Sequence, residues 1–277
     1  MNQAMIEEYL AFLKCQDARE VCRENLFRLQ LAHLQTLPYS NLTIFTDGEP
    51  DLSESALFDR LIRQKRGGYC FELNGLFGYL LRDLGYDVTE YFGRWHFGLD
   101  DEIAPQRHRV LSVKCGDGTF IVDAGVASPA PGTPLEAVFD KIQHRSGRSY
   151  RLRADETYGT VVETLTGSEW KAFYSFNSVP AFARDFEYVN YFCSTHHSSV
   201  FRKKFFAAKQ DADQHVCIEN PTDETPFFQL AVRTVDGKNC TPVETPEALQ
   251  EILQDRFGMI IKPEMFSVLQ KIISRQN

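Results

Sequence analysis

Three side chains, far apart in the chain, have the types and local settings that acyl transfer requires: Cys70, His108 and Asp123. Cys70 lies in Arg66-Gly67-Gly68-Tyr69-Cys70-Phe71-Glu72-Leu73-Asn74. A glycine turn there precedes Phe71, Phe77, Leu80, Leu81 and Leu84 at helical spacing, and Gly85 stands where a helix would stop. The pattern predicts a cysteine in the first turn of a helix, among unpaired N–H groups and at the positive end of the macrodipole. Such a setting favours thiolate over thiol and lowers a cysteine pKa from about 8.5 to roughly 3.5–7.5. The same residue also suits a core position behind a Gly-Gly turn, because free cysteine packs as a small apolar side chain.

A hairpin supplies partners. Arg107 to Lys114 and Thr119 to Asp123 flank Cys115-Gly116-Asp117-Gly118, a composition suited to a tight turn. If Cys115 pairs with Gly118, the register sets His108 opposite Gly125 and places Asp123 on the same face, diagonal to the histidine. Diagonal neighbours lie roughly 7–8 Å apart at the backbone, within reach of long side chains. A thiol at a helix start with an imidazole and a carboxylate on one sheet face is the layout of a Cys-His-Asp triad. The imidazole takes the thiol proton, and the carboxylate fixes its tautomer and stabilises the imidazolium. An aspartate that ends a strand and a histidine that merely packs are the plain alternative. The other histidines suit the role less. His33 falls in a helical segment, His96 follows a tryptophan in a loop, and His196-His197 lie in a polar loop. His144 and His215 gain no acidic neighbour from any derivable pairing.

The elements that must position these groups follow from periodicity. Residues 1–85 read as a helical bundle carrying the nucleophile, with Ile6, Leu10, Leu13 and then Val21, Leu26, Leu29, Leu34 at helical intervals and a short helix over Ser53 to Arg63. Leu37-Pro38-Tyr39-Ser40-Asn41-Leu42 interrupts them as a loop. Residues 86–190 carry short aromatic and β-branched segments at Val88 to Phe92, Arg107 to Lys114, Thr119 to Asp123, Ser149 to Arg153, Val161 to Leu165 and Trp170 to Phe176. These predict an antiparallel sheet or barrel bearing His108 and Asp123, closed by a helix over Phe182 to Phe192. Residues 191–277 are mixed, with strands near Phe201, Val216 and Phe227–Val232, a helix over Pro246 to Phe257 and a helical tail from Pro263.

Composition bounds the function. The 277 residues are 43% hydrophobic, 25% charged and 13% aromatic, which is globular rather than disordered. A net charge of −8 argues against nucleic-acid or anionic-membrane partners. No apolar run is long enough to span a bilayer. Met1 to Lys14 lacks the basic-then-apolar order of a signal peptide. The seven cysteines contain no C-x-x-C pair and no zinc spacing, so no metal is expected, and free thiols in a reducing cytoplasm explain them better than disulfides.

The cysteine segment resembles the active-site motif of the arylamine N-acetyltransferases. His108 in His-Arg-Val-Leu-Ser-Val and Asp123 in Ile-Val-Asp-Ala-Gly match that family's second and third triad positions in order and spacing. Leu37 to Leu42, Asp185-Phe186-Glu187 to Asn190, Ser194-Thr195-His196 to Phe201, and Leu249 to Gly258 extend the likeness over nearly the whole chain. The resemblance implies an α+β fold with an N-terminal helical bundle, an antiparallel β-barrel and an α/β lid around a papain-like cysteine-enzyme core. It also implies acetyl-CoA as acyl donor and aromatic amines or hydrazines as acceptors, through an acetyl-cysteine, as in xenobiotic metabolism. By the same analogy Ala127, Ser128 and Gly132 would touch the cofactor, and Tyr39, Tyr69, Val126 and Phe201 would line the acceptor pocket. One departure stands out. The family usually places phenylalanine after Asp-Ala-Gly, where this chain has Val126, which predicts a wider pocket without that stacking surface. Arg202-Lys203-Lys204 offers charge for an anionic cofactor, although solvated runs of this kind usually serve solubility. Three rivals keep the same residues: a cysteine hydrolase, an amide synthase acting without CoA, and a non-catalytic binding module.

Overall fold

A computed structural model of the chain describes residues 1–98, 103–211 and 213–274. Helix α1 (Gln3–Phe12) starts at Asn2, whose side chain accepts the Met5 amide at 2.9 Å, and it buries Ile6, Tyr9 and Leu10. Helix α2 (Arg23–Thr36) buries Leu26, Leu29 and Leu34, and also the polar Gln30 and His33. Leu37-Pro38 ends it. A two-residue strand β1 (Tyr39–Ser40) follows in the segment expected as loop, then α3 (Leu42–Thr46) and α4 (Glu54–Phe58), which runs on into a π-helical turn at Asp59–Arg63. Helix α5 (Cys70–Asp83) is buried along most of its length, with Phe71, Leu76, Phe77, Leu80 and Leu81 in the same apolar cluster as α1 and α2.

Eight antiparallel strands come next: β2 (Asp87–Trp95), β3 (Gln106–Cys115), β4 (Gly118–Val122), β5 (Leu135–Glu136), β6 (Gln143–Arg145), β7 (Arg148–Asp155), β8 (Gly159–Thr166) and β9 (Glu169–Phe176). Their order is β5-β4-β3-β2-β9-β8-β7-β6. The two ends of this sheet meet where the Gln143 side chain accepts the Glu136 amide at 2.8 Å and donates to the Glu136 carbonyl at 2.9 Å. The sheet thus curls into a nearly closed barrel around Val110, Ile121, Tyr150, Leu152, Val162 and Phe173.

Helix α6 (Asp185–Thr195) and the single turn α7 (Val200–Lys203) lead to β10 (Ala207–Gln210), β11 (His215–Glu219), β12 (Phe228–Thr234), β13 (Gly237–Val243), α8 (Pro246–Asp255) and, after a 3₁₀ turn at Pro263–Met265, α9 (Phe266–Ser274). The four strands join β1 in a second sheet, ordered β1-β10-β11-β12-β13. Thr245 caps α8 by accepting the Ala248 amide at 3.1 Å, with Pro246 inside the first turn. Leu249, Leu253, Leu269 and Ile272 then cover Val216, Ile218 and Phe228 of the sheet. The fold is therefore α+β, with a helical N-terminal region, a barrel and a second sheet layered with helices. Phe201 is not in a strand as expected. The Ser199 hydroxyl accepts the Phe201 amide at 3.3 Å and starts α7 instead. Among the described residues, no helix is long and apolar enough to cross a membrane.

Candidate active site

The glycine turn before α5 has two separate steric causes. Gly67 sits at φ +67°, and a Cβ there would stand 2.9 Å from the Pro38 carbonyl oxygen. A Cβ on Gly68 would stand 2.8 Å from both Glu72 Cβ and a Leu61 methyl. The turn is pinned to β1, since Ser40 N–H donates to the Gly68 carbonyl at 2.8 Å. Glu72 reaches back to accept the Tyr69 amide at 3.1 Å and takes Arg60 Nε at 2.8 Å on its other oxygen. Burial raises the Glu72 carboxyl pKa, against the Arg60 charge and the Tyr69 amide. Cys70 is thereby held as the first residue of α5.

The hairpin has the register that the turn composition predicts: Cys115 pairs with Gly118 and Leu111 with Val122. Because β4 ends at Val122, the first half of β3 outruns it and offers a free edge to the start of α5. The Cys70 thiol donates to the Arg107 carbonyl at 3.5 Å, and Asn74 Nδ2 donates to the Arg109 carbonyl at 2.6 Å. His108 projects beside them with Nε2 2.6 Å from Asp123 Oδ2. A carboxylate oxygen only accepts, so this pairing places the ring proton on Nε2 and leaves Nδ1 free to receive the thiol proton.

Asp123 is held from three sides. Its Oδ1 accepts Asn74 Nδ2 at 2.8 Å and Gly125 N–H at 3.0 Å, and its own amide donates to Gln30 Oε1 at 3.3 Å. Asn74 Oδ1 accepts the Ala124 amide at 2.8 Å, and Gln30 Nε2 donates to the Pro131 carbonyl at 2.9 Å. Helices α2 and α5 thus grip both ends of the loop after β4. Gly125 is where that loop touches α5. A Cβ there would stand 3.0 Å from Cys70 Cα and 2.8 Å from Asn74 Nδ2.

Cys70 and His108 share one cavity of about 220 Å³. Of the residues expected from the resemblance to touch cofactor or acceptor, Tyr39, Val126, Ala127, Ser128 and Phe201 also line it. Two do not. Tyr69 is fully buried behind the wall, its ring edge-on to Phe71 and Phe201 and its hydroxyl bonded to Asn190. Gly132 is turned toward the barrel, its amide donating to Ser146 Oγ at 3.0 Å. Arg202, Lys203 and Lys204 are all exposed at α7. Wall residues that the sequence did not mark are Trp95, Phe97, Arg107, Val200 and Phe206. Asn74 carried a usable signal, since it lies four residues after Cys70 and so on the same helix face. Gln30 carried none.

The expectation of a lowered cysteine pKa requires correction. Burial pushes the Cys70 thiol well above its ordinary range, reinforced by the proximity of Cys193 and Asp123, while the Arg109 and Phe71 backbone N–H groups act the other way. Desolvation outweighs the helix start for a lone thiolate. Proton transfer to His108 would avoid that penalty in part, because a sulfur–imidazolium pair adds no net charge to the site.

The profile of the N-acetyltransferase family matches residues 24–265, from α2 to the 3₁₀ turn. The arylamine N-acetyltransferase of Mycobacterium tuberculosis is 32% identical over 237 residues, covering 83% of this chain and 81% of that protein. The chain belongs to the arylamine N-acetyltransferase family. Among solved arylamine N-acetyltransferases, that of Mycobacterium marinum in complex with CoA superposes with a TM-score of 0.86 at 29% identity, covering 96% of this chain and 99% of the other. A relative with a different name, the proansamycin X synthase of Amycolatopsis mediterranei, is 34% identical over 188 residues, 65% of this chain and 70% of its own.

Proposed function

We propose that this protein transfers an acetyl group from acetyl-CoA to aromatic amines, hydrazines or related amines through an acetyl-cysteine at Cys70. In the first half-reaction Cys70 Sγ attacks the thioester carbonyl while its proton passes to His108 Nδ1. The tetrahedral adduct then expels CoA, which leaves with the proton returned by His108. In the second, the amine nitrogen attacks the acetyl-cysteine carbonyl, His108 accepts the amine proton, and the Cys70 sulfur departs. Asp123 orients the ring and stabilises the imidazolium in both halves. Exchange of one thioester for another is nearly balanced in energy, so the first half is reversible.

The observation that carries this reading is the shared cavity wall of Cys70 and His108, with Asp123 2.6 Å behind the imidazole. Backbone N–H groups of Phe71 and Arg109, which favour charge on the sulfur, and that of Cys70 itself at the helix start would serve as donors to a developing oxyanion. In this reading Ala127 and Ser128 would touch the thioester end of the donor, and Tyr39, Val126 and Phe201, on the same cavity wall, the acceptor ring. A setting in the reducing cytoplasm fits the seven unpaired cysteines. Intact-mass measurement after mixing with acetyl-CoA tests the reading. A single acetyl adduct that is absent in Cys70→Ala and discharged by an arylamine is expected; an adduct that survives in Cys70→Ala overturns it.

A second reading, intramolecular amide synthesis on a large acyl chain without CoA, draws support from the likeness to proansamycin X synthase. Calorimetric titration with CoA separates the two, since the second needs no CoA site.

A further inference from the structure

Among the described residues, Arg107 is the one arginine on the wall of the cavity that holds Cys70 and His108, and no acidic group pairs with it. Among the described residues its guanidinium takes part in no ion pair and no hydrogen bond; its carbonyl receives the Cys70 thiol, and the guanidinium carbon lies 5.8 Å from the centre of the Phe201 ring. Arg109, two residues along the strand and past the register break at Arg107, shows the contrast. It is fully buried, with Nε 2.5 Å from Glu90 Oε2 and a second nitrogen 3.0 Å from the Phe71 carbonyl. In a chain with 38 acidic and 30 basic residues, this half-buried arginine has no acidic partner among the described residues, which leaves its charge available to a ligand. Arg107 also forms the seam between the cavity and an outer groove of about 790 Å³ walled by Tyr188, Tyr191, Phe192 and His196. A ring that enters between these aromatic walls with its amine toward Cys70 carries its far substituents past the guanidinium.

Resting on the acetyl-transfer reading above, we infer that Arg107 selects the acceptor by pairing with an anionic group on it, a carboxylate above all. The planar fork of an arginine matches a carboxylate in two parallel hydrogen bonds, and partial burial protects the pair from solvent screening. Aminobenzoate-type acceptors are then favoured over neutral arylamines of the same size, although the protein's overall negative charge repels them. The same guanidinium chemistry would also suit a phosphate of the donor, so the test has an arm for each.

The acceptor arm compares kcat/KM for 4-aminobenzoate with that for its methyl ester, in wild type, Arg107→Met and Arg107→Lys. The donor arm compares acetyl-CoA with S-acetyl-N-acetylcysteamine, which carries no phosphate. A fall of about tenfold or more in the aminobenzoate-to-ester ratio in Arg107→Met, partial recovery in Arg107→Lys and an unchanged donor ratio are expected. An acceptor ratio that stays at its wild-type value overturns the inference, whether the donor ratio holds or collapses. Binding of 4-aminobenzoate to the unacetylated protein, followed by fluorescence of the wall residue Trp95, gives a readout without turnover. There too the aminobenzoate-to-ester affinity ratio should fall in Arg107→Met, and an unchanged ratio counts against the assignment. Failure of the wild-type protein to form an acetyl-cysteine would be seen beforehand by mass and refutes the acetyl-transfer reading rather than this one.

Discussion

Asn74 stands one helical turn beyond Cys70 and donates its amide to Asp123 Oδ1 at 2.8 Å, so a single helix carries both the sulfur and the group that aims the carboxylate. The same amide also satisfies the Arg109 carbonyl at 2.6 Å, and its oxygen accepts the Ala124 amide. One buried side chain therefore ties helix, strand and loop at the reacting end of the molecule.

Replacing Asn74 by alanine leaves the Ala124 N–H and the Arg109 C=O without partners inside the protein. The expected cost in stability is about 2 kcal/mol or more, read from the urea midpoint. Loss of carboxylate alignment should lower the acetylation rate of Cys70 by roughly a hundredfold. A lowered midpoint with an unaltered acetylation rate would show that Asn74 only holds the fold.

His108→Gln removes the internal acceptor for the thiol proton. Burial already raises the thiol pKa, so in this variant the thiolate fraction at neutral pH is small and grows about tenfold for each unit of added pH. Iodoacetamide should alkylate Cys70 in His108→Gln at least a hundredfold more slowly than in wild type at pH 7, with a rate still climbing at pH 9. Equal rates in the two proteins at pH 7 would mean that the histidine does not ionise the sulfur.

Two histidines outside the site set an acid limit. Burial lowers the pKa of His33 to about 3 and that of His215 to about 4, from an ordinary 6.5. Below pH 6.5 the unfolded chain binds protons that the folded chain refuses, so stability falls as pH drops from 6.5 toward 4. The loss reaches about 3 kcal/mol for each ring at pH 4. His33 packs between Tyr9 and Phe77 with neither nitrogen hydrogen-bonded, so phenylalanine can take its place. Urea midpoints of His33→Phe should depend less steeply on pH between 6.5 and 4 than those of wild type; parallel curves would contradict the assignment.

Val126 occupies the cavity wall beside Cys70 and is buried. Phenylalanine there would fill part of a space of about 220 Å³ and provide a stacking face. The kcat/KM ratio of a bulky acceptor such as 4-aminobiphenyl to aniline should drop about tenfold in Val126→Phe. An unchanged acceptor profile would mean that this wall does not set acceptor size.

The barrel's main strands and the hairpin register were legible because alternation and a Gly-Asp-Gly turn are local signals. The pairings Cys115 to Gly118 and Leu111 to Val122 follow from four turn residues alone. Short elements were not legible. The strand expected near Phe201 is a helical turn capped by Ser199, and β13, almost wholly exposed and containing Pro242, shows no apolar alternation to read. At the site, residue types and spacing were enough to single out Cys70, His108 and Asp123 as neighbours. They could not give the energetic balance at sulfur, which depends on how much water three separate regions exclude. Nor could they give Gln30, whose contacts lie about a hundred residues away in the chain.

The pinning of the glycine turn to β1 has a consequence for biosynthesis. Tyr39 and Ser40 pair with Ala208 and Ala207, while the Ser40 amide holds the Gly68 carbonyl just ahead of Cys70. A ribosome delivers those alanines long after Cys70 has emerged. Until then, one side of the support under the turn is missing, so an incomplete nascent chain carries the Cys70 thiol in an unfinished setting.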